Sequence, residues 1–560
     1  MTPSVPPGPA AFRPAGRLVA LAVLAGVLLR LRQFAHGRPL WIDEAMLAVN
    51  VLTRDFAGLL RPLDSDQLAP VPFLWAVRLA ALLGGADERV LRLVAFVAGI
   101  ALLGVVAALA RRTLAPGPAA LATALVALSP LLGWYSNELK PYMTDALAAA
   151  LLALAVARLR DDPARPARWW TVGLLGLGAA VASTAAPLIL AGVGAALLLP
   201  PTASTWRRRA AVGGWALAWG ACWGVLYVLT YRATSGSAYM QRFWIPNFLS
   251  PSLPGLGQKL VILPAGLLRE WFLGEATPVR ILAGAALFLP LAAGVVALVR
   301  RGRAWLVVAA LVPLGLAILA SAARLYPVAP RLLLFAAPLV ALLLAAGAGL
   351  LADLLARWRP APWLGFGAAV LLGLPALDAA RGLVVPPERE ALAPLVRTLQ
   401  REAAPGATIY VFGRAVPAWV FYTTDWRAPD TARVRHHVSL VSSTGAAFRH
   451  AGPRGHPVGQ EGDSLAYRLG AWTELVGIPS GTGPDSLGVN GAVEDAGWAD
   501  NEARRIQAAG GPEAWLVLSS HRTEVPARLD SAMTRRGGVL QARLSATGAE
   551  VSRWRFPAAR

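Results

Sequence analysis

The sequence predicts a polytopic α-helical membrane protein with an α/β domain at its C-terminal end. Three observations carry that expectation. Hydrophobic residues make up 56% of the 560-residue chain, and the mean hydropathy is +0.52. Soluble domains are far less apolar. Window after window of about 20 residues lacks charge, the length a helix needs to cross a hydrocarbon core of about 30 Å. From about residue 380 the long apolar blocks stop, and short strand-like and helix-like segments alternate.

The first span is expected at about residues 18–31. Arg13 and Arg17 precede it, which places the N-terminus in the cytoplasm by the positive-inside rule. The Pro-rich start has no small-residue cleavage site, so the reading is an uncleaved first helix. A first outer loop, 33–88, follows. It ends in the stretch from Pro70, expected to be an amphipathic piece lying along the interface. Further spans are expected at about 90–110, 117–133, 142–157, 169–183, 185–200, 211–230, 279–299, 304–322, 332–350 and 362–378, about eleven in all. Ser183-Thr184 forms either a short outer turn or a kink.

The loops test this topology. Arg111-Arg112, Arg158/Arg160/Arg165/Arg168, Arg207-Arg208-Arg209, Arg300-Arg301/Arg303 and Arg357/Arg359 fall on alternate connections. Those connections are cytoplasmic if the N-terminus is, and the C-terminal part is then extracytoplasmic. The net charge of +21 is thereby assigned to membrane topology, and nucleic acid is excluded as a partner because no basic motif with interleaved aromatics stands out. The lone Cys222 lies in an apolar span and reads as a packing residue.

The sequence therefore divides into a membrane module, 1–379, and an extracytoplasmic α/β domain, 380–560. In the second part Thr408–Phe412 and Ala514–Leu518 read as buried strands, and Glu388–Arg401 and Thr523–Arg536 as amphipathic helices. Residues 444–490, rich in Gly, Pro and Ser, read as loop.

Chemistry concentrates on outer connections. Trp41-Ile42-Asp43-Glu44 puts adjacent carboxylates at a membrane surface. A carboxylate there can take the proton of an acceptor hydroxyl, and partial desolvation would raise its pKa. The competing reading is that Asp43 only caps a short helix beginning at Glu44. In the connection 133–141 and the following turn, Glu138, Tyr142 and Asp145 are spaced to share a helix face if the helix extends back that far. Lys140 stands out because only it and Lys259 are lysines among 53 basic residues. A compact point charge where Arg is the default suits a phosphate contact; the alternative is a snorkelling anchor. The third connection, Arg324–Arg331, puts Arg331 at the start of a long apolar helix. There it suits bidentate phosphate binding or, again, snorkelling. Trp41, and Trp244 beside Arg242 and Phe243, suit either sugar stacking or interfacial anchoring.

At these residues the chain resembles the C-class polyprenyl-phosphate-sugar-dependent glycosyltransferases. It is most similar to the bacterial protein O-mannosyltransferase and lipid A aminoarabinose transferase group. The resemblance covers about residues 18–350. It rests on Asp43-Glu44, on Gln67-Leu68-Ala69-Pro70-Val71-Pro72, and on Gly85-Ala86-Asp87-Glu88-Arg89-Val90-Leu91-Arg92. Tyr135-Ser136-Asn137-Glu138-Leu139-Lys140-Pro141-Tyr142 and Arg331-Leu332-Leu333 complete it. The chain departs from the pattern in lacking a His before Pro70. The resemblance implies an inverting membrane transferase with Asp43, and beside it Glu44, as the catalytic acidic pair. It implies Lys140 and Arg331 as donor-phosphate contacts, with Gln67, Glu138, Tyr142, Asp145 and Trp41 ordering the site or touching substrate. The implied partners are a polyprenyl-phosphate-linked sugar and a lipid, glycan or protein acceptor. No obligatory metal is implied, a divalent cation being the open alternative; the six His are scattered. Two other functions use similar residues: a transporter of lipid-linked sugars, and a non-catalytic assembly protein that keeps the fold. Polar residues gathered at one edge favour surface chemistry over passage through the bilayer.

Overall fold

The computed structural model describes residues 9–236, 238–249, 253–356, 361–441, 466–469, 471–477, 496–521 and 523–557. Arg357 and Arg359 of the basic pattern, and most of the expected 444–490 loop, lie outside the described residues.

The chain opens with α1 (Pro9–His36). Two short helices fill the connection between α1 and the next long helix, α2 (Ile42–Thr53) and α3 (Val71–Gly84). Pro72 sits in the first turn of α3, where the missing N–H costs nothing. α3 buries Phe73, Leu74, Val77 and Ala81 and turns Leu79, Leu82 and Leu83 outward, so it is apolar on both faces and not the amphipathic piece expected here. The bundle continues with α4 (Glu88–Thr113), α5 (Pro116–Leu128), α6 (Pro130–Tyr135), α7 (Tyr142–Asp161), α8 (Pro166–Ala182), α9 (Ala186–Leu198) and α10 (Trp206–Leu226). Ser183 therefore begins a turn between two separate helices.

The long connection from Tyr231 to Pro278 is itself helical. It holds α11 (Arg232–Ser235), α12 (Ala238–Phe243) and α13 (Leu253–Phe272). Then come α14 (Pro278–Ala286), α15 (Phe288–Arg300), α16 (Ala304–Ala322), α17 (Ala337–Leu355) and α18 (Ala361–Val384). Among the described residues seven helices are long and apolar enough to cross a membrane, making this a multi-pass membrane protein. They match seven of the eleven expected spans. The other four expected spans are helical too, but α5, α8 and α9 are short and Ser129 breaks the 117–133 span before α6.

Without water to drive helices together, small residues let their backbones approach. α15 and α17 show this: a Cβ on Gly294 would lie 1.9 Å from the Leu343 carbonyl, and one on Gly347 1.7 Å from that of Pro290. The basic loops gather at one end. Arg112 pairs with Asp161, and Arg160 donates to Leu199 O at 3.0 Å and lies over the Trp305 ring. The N-terminal ends of α4 and α7 point the other way, and the acidic pair lies with them.

Beyond α18 the chain forms a six-stranded mixed sheet, with order β2-β3-β1-β4-β6-β5. The strands are β1 (Thr408–Val411), β2 (Ala466–Leu469), β3 (Trp472–Val476), β4 (Ala514–Ser519), β5 (Val539–Ala546) and β6 (Ala549–Arg555). β1 and β4 are parallel neighbours, buried at every residue, as their unbroken apolar runs predict. The β2–β3 hairpin falls inside the stretch expected to be loop. The Gly, Pro and Ser that mark a loop lie in the flanking residues, while 466–476 holds one Gly and no Pro or Ser; its Glu474 is buried by pairing with Arg433 at 2.6 Å and accepting from Trp419 at 2.6 Å. The helix expected from Glu388 starts only at Leu392, as α19 (Leu392–Glu402), because Glu388 and Glu390 are held by the first outer loop. The remaining helices are α20 (Val416–Thr423), α21 (Thr431–Val441), α22 (Ala496–Ala508) and α23 (Val525–Arg535). One apolar core runs from α2 (Ala45, Leu47, Ala48, Val51) into the sheet domain (Trp419, Val420, Ile409). The domain is thus packed onto the loop that carries the acidic pair.

Candidate active site

α2 begins at Ile42, with Trp41 in extended conformation as its N-cap. Asp43 is therefore inside the helix and does not cap it, which removes the capping alternative. The Ile42 N–H is taken by the Glu390 carboxylate at 3.0 Å. Successive residues on a helix point about 100° apart, so the two carboxylates serve different surroundings. Glu44 turns inward and is fully buried. Arg92 grips it with two N–H groups at 2.7 and 2.6 Å, and the Leu139 N–H donates to it at 2.7 Å. Arg92 also donates to the Arg38 carbonyl at 2.6 Å. Glu44 thereby ties α2 to α4 and to the 136–141 connection, away from solvent. Asp43 faces outward, its side chain 23% exposed.

The connection after α6 is a series of turns, and α7 starts only at Tyr142. Glu138 is therefore off the α7 face that the spacing suggested. It accepts from Arg38 at 3.4 Å and from the Trp134 indole N–H, and Arg38 stacks on Trp134 at 3.5 Å. Lys140 points to Asp43, with Nζ 3.9 Å from Oδ2, and donates to Gln67 Oε1 at 2.7 Å. Gln67 in turn donates to the Ser65 carbonyl at 3.2 Å, which fixes its amide with the oxygen toward Lys140.

Arg331 reaches the same carboxylate, Nη1 to Oδ2 at 3.2 Å. It lies in irregular chain ahead of a 3-10 turn at Leu334–Ala336 and of α17, rather than at a helix start. The 231–278 connection holds that segment: Trp271 donates to Pro330 O at 3.0 Å, and Val328 donates to Asn247 O at 2.9 Å. Trp244 places its ring 5.1 Å from the Arg331 guanidinium, so it lies at the site. Tyr142 packs edge-on against Tyr135 at 4.9 Å. Asp145, one turn on, is directed elsewhere and accepts from Thr184 at 3.1 Å.

The structure brings Asp43, Lys140, Gln67 and Arg331 together, with Trp41 and Tyr142 nearby. It puts Glu44 and Asp145 in buried contacts of their own. It also supplies residues that sequence reasoning missed: Arg38, Arg92 and Arg389, whose guanidinium lies 4.1 Å from the Trp41 ring. Arg92 closes the Gly85–Arg92 motif and Arg38 precedes the acidic pair by five residues, but Arg389 comes from beyond α18 and no local pattern marks it.

Charge follows from this geometry. Burial pushes the Asp43 carboxyl up, but Lys140, Arg331 and Arg389 outweigh it and hold it below the ordinary aspartate value. The expectation of a raised value fails because three cations face one carboxylate. Burial depresses Lys140, against the pull of Asp43. Burial and the Glu44 carboxylate raise Glu138 to about 7. That exceeds the 4.5 of a free glutamate, so between the two values the native state keeps a proton the unfolded chain has lost. Stability is then withdrawn as pH rises through that window. Glu138→Gln is expected to flatten the fall in melting temperature from about pH 5 to about pH 8. Thermal unfolding in detergent checks this; parallel falls in both proteins would show Glu138 ionised throughout. Among the described residues no three of His, Cys, Asp and Glu converge as a metal set.

Residues 69–227 match the family model described as dolichyl-phosphate-mannose-protein mannosyltransferase. No curated protein sequence is significantly similar to the chain. Among solved structures, the archaeal oligosaccharyltransferase AglB from Archaeoglobus fulgidus superposes with a TM-score of 0.50 at 13% identity. The match covers 96% of this chain and 74% of that one. The chain therefore shares the fold of AglB. The crystal structure of ArnT from Cupriavidus metallidurans in the apo state aligns over 97% of this chain and 98% of that one, at 15% identity and a TM-score of 0.49. The segment matched by the family model contains Lys140, Glu138 and Tyr142, whereas Asp43 and Arg331 lie outside it.

Proposed function

We propose that this chain is a C-class glycosyltransferase that moves a sugar from a polyprenyl-phosphate donor to an acceptor hydroxyl on the extracytoplasmic side of the cell membrane. The observation that carries the reading is one part-exposed carboxylate, Asp43, held between Arg331 at 3.2 Å and Lys140 at 3.9 Å. They sit at the end of the bundle away from its basic loops. The positive-inside rule makes the basic end cytoplasmic. The family matched by residues 69–227 is described by a dolichyl-phosphate-mannose donor, and the AglB structure is in complex with an inhibitory peptide and a dolichol-phosphate; both agree with a lipid-phosphate ligand here.

The acceptor oxygen attacks the anomeric carbon on the face opposite the phosphate. Its proton passes to Asp43, the new C–O bond forms, and the C–O bond to phosphate breaks with its electron pair going to the phosphate. The outcome is inversion. Lys140 and Arg331 stabilise the charge gathering on the departing phosphate, the kind of preorganised contribution that dominates many enzymes. Gln67 keeps Lys140 in place, and Glu138 with Arg38 sets the turn that presents it.

The test uses purified protein, a panel of labelled polyprenyl-phosphate sugars, and membrane extract as acceptor source. Release of polyprenyl phosphate with one donor is expected and identifies the sugar. No release with any donor, alongside protein-dependent movement of the lipid across liposomes, would replace the transferase with a transporter.

A further inference from the structure

Arg389 belongs to the link between α18 and α19, and that link is fastened on both sides. His36 contacts Glu388 at 3.1 Å. Glu390 accepts from Ile42 N at 3.0 Å and from Ser519 Oγ at 3.2 Å. Ala391 donates to the Thr547 carbonyl at 2.7 Å. Gly548 lies so close that a Cβ on it would stand 2.2 Å from the Arg389 carbonyl. The backbone of Arg389 is therefore positioned by the C-terminal domain against the first turn of α2.

Its side chain is used differently from the other cations here. Arg38, Arg92, Lys140 and Arg331 each pair with a carboxylate. Among the described residues no hydrogen bond or ion pair engages the Arg389 guanidinium. It is exposed, and it rests 4.1 Å over Trp41 and 5.7 Å from the Trp134 ring. Beneath it the Trp41 indole N–H is buried without a partner. A guanidinium held by its face against indole keeps the N–H groups along its edge free, and that edge matches phosphate oxygens.

We propose that the C-terminal domain contributes Arg389 to the donor phosphate as a third cation beside Lys140 and Arg331. This rests on the lipid-phosphate reading above. Three cations against the single Asp43 carboxylate leave two positive charges at the site. A polyprenyl-phosphate sugar carries one negative charge, and the phosphate released when its C–O bond breaks carries a second. The third cation is thus matched to the charge that develops during transfer, which favours the leaving group over the bound donor. The domain then completes the site as well as covering it.

The experiment measures binding of undecaprenyl phosphate, and of undecaprenol as the phosphate-free control, to purified full-length protein. Wild type is compared with Arg389→Gln, Arg389→Lys and Arg331→Gln. Arg389→Gln is expected to weaken undecaprenyl phosphate binding about 10- to 100-fold, the range for losing a charge-assisted hydrogen bond. Undecaprenol binding and melting temperature stay unchanged, and Arg389→Lys recovers part of the loss. Wild-type phosphate affinity in Arg389→Gln, with loss in Arg331→Gln, would overturn the role of Arg389 and leave the site reading intact. Equal loss of both lipids in Arg389→Gln would make its role structural and also overturn the proposal. A wild-type protein that binds the phosphate no better than the alcohol would sink the donor reading itself.

Discussion

Asp43→Asn is expected to abolish sugar transfer while donor binding persists or tightens. The substitution keeps the shape of the side chain and leaves α2 intact, since the helix N-cap is Trp41 and the first N–H is held by Glu390. What it removes is, among the described residues, the only carboxylate in contact with both Lys140 and Arg331. Losing a positioned proton acceptor costs about 10²- to 10⁴-fold in rate. The phosphate effect runs the other way. In the resting protein Asp43 occupies the donors that a phosphate needs, and its charge repels the ligand. An amide in its place ends that competition. The expected pattern is therefore a collapsed kcat with an equal or lower Kd for polyprenyl phosphate, measured at saturating donor. Turnover within a few-fold of wild type would remove Asp43 from the chemistry.

The low Asp43 pKa belongs to the same argument. A carboxylate held below its ordinary value by cations is fully ionised at neutral pH, so it is always ready to accept a proton. It is a weaker base than a desolvated carboxylate until the acceptor and the phosphate arrive. When the phosphate draws Lys140 and Arg331 toward itself, Asp43 loses part of the field that depresses it. Its basicity then rises at the moment an acceptor proton must move. On the proposed mechanism, donor binding and base activation are thus coupled through two shared cations.

The site is legible in sequence to the extent that its residues lie on outer connections of a helical bundle. Topology alone puts Asp43, Lys140 and Arg331 at one end, because charge is cheap there and expensive along the spans. The direction of each side chain is another matter. Adjacent Asp43 and Glu44 read alike, yet a helix starting at Ile42 rather than Glu44 sends them to opposite environments. Glu138 and Asp145 appear to share a face only if α7 extends backward, and the turns at 136–141 break that register. Arg389 is invisible because its place depends on docking between the sheet domain and α2, a contact between residues more than 300 apart in the chain. The hairpin β2–β3 is masked by the Gly-, Pro- and Ser-rich residues around it, and its inward Glu474 fits a strand only because Arg433, from another element, is beside it.

Glu44→Gln is expected to fail in a way opposite to Asp43→Asn, through the fold rather than the chemistry. Glu44 is fully buried, Arg92 is 2% exposed, and the pair shares two hydrogen bonds. Breaking a buried ion pair by neutralising one member costs about 3–5 kcal/mol, because the other charge is left without compensation. That is a large share of the 5–15 kcal/mol typical of a whole domain. A glutamine also turns an N–H₂ group toward Arg92, or else withdraws its oxygen from the Leu139 N–H. Either way the tie between α2 and the Lys140 turn loosens. The melting temperature in detergent should fall steeply, and activity should fall with it. A second change, Arg92→Met, removes the orphaned charge and should restore part of the stability, since much of the cost of breaking a buried pair is the charge left uncompensated. The double variant then separates the roles. If it is folded and turns over donor at a measurable rate, Glu44 positions the site and Asp43 carries the proton. If it is folded but inert, while Asp43→Asn retains activity, the chemistry belongs to Glu44 and the outward carboxylate only shapes the phosphate site.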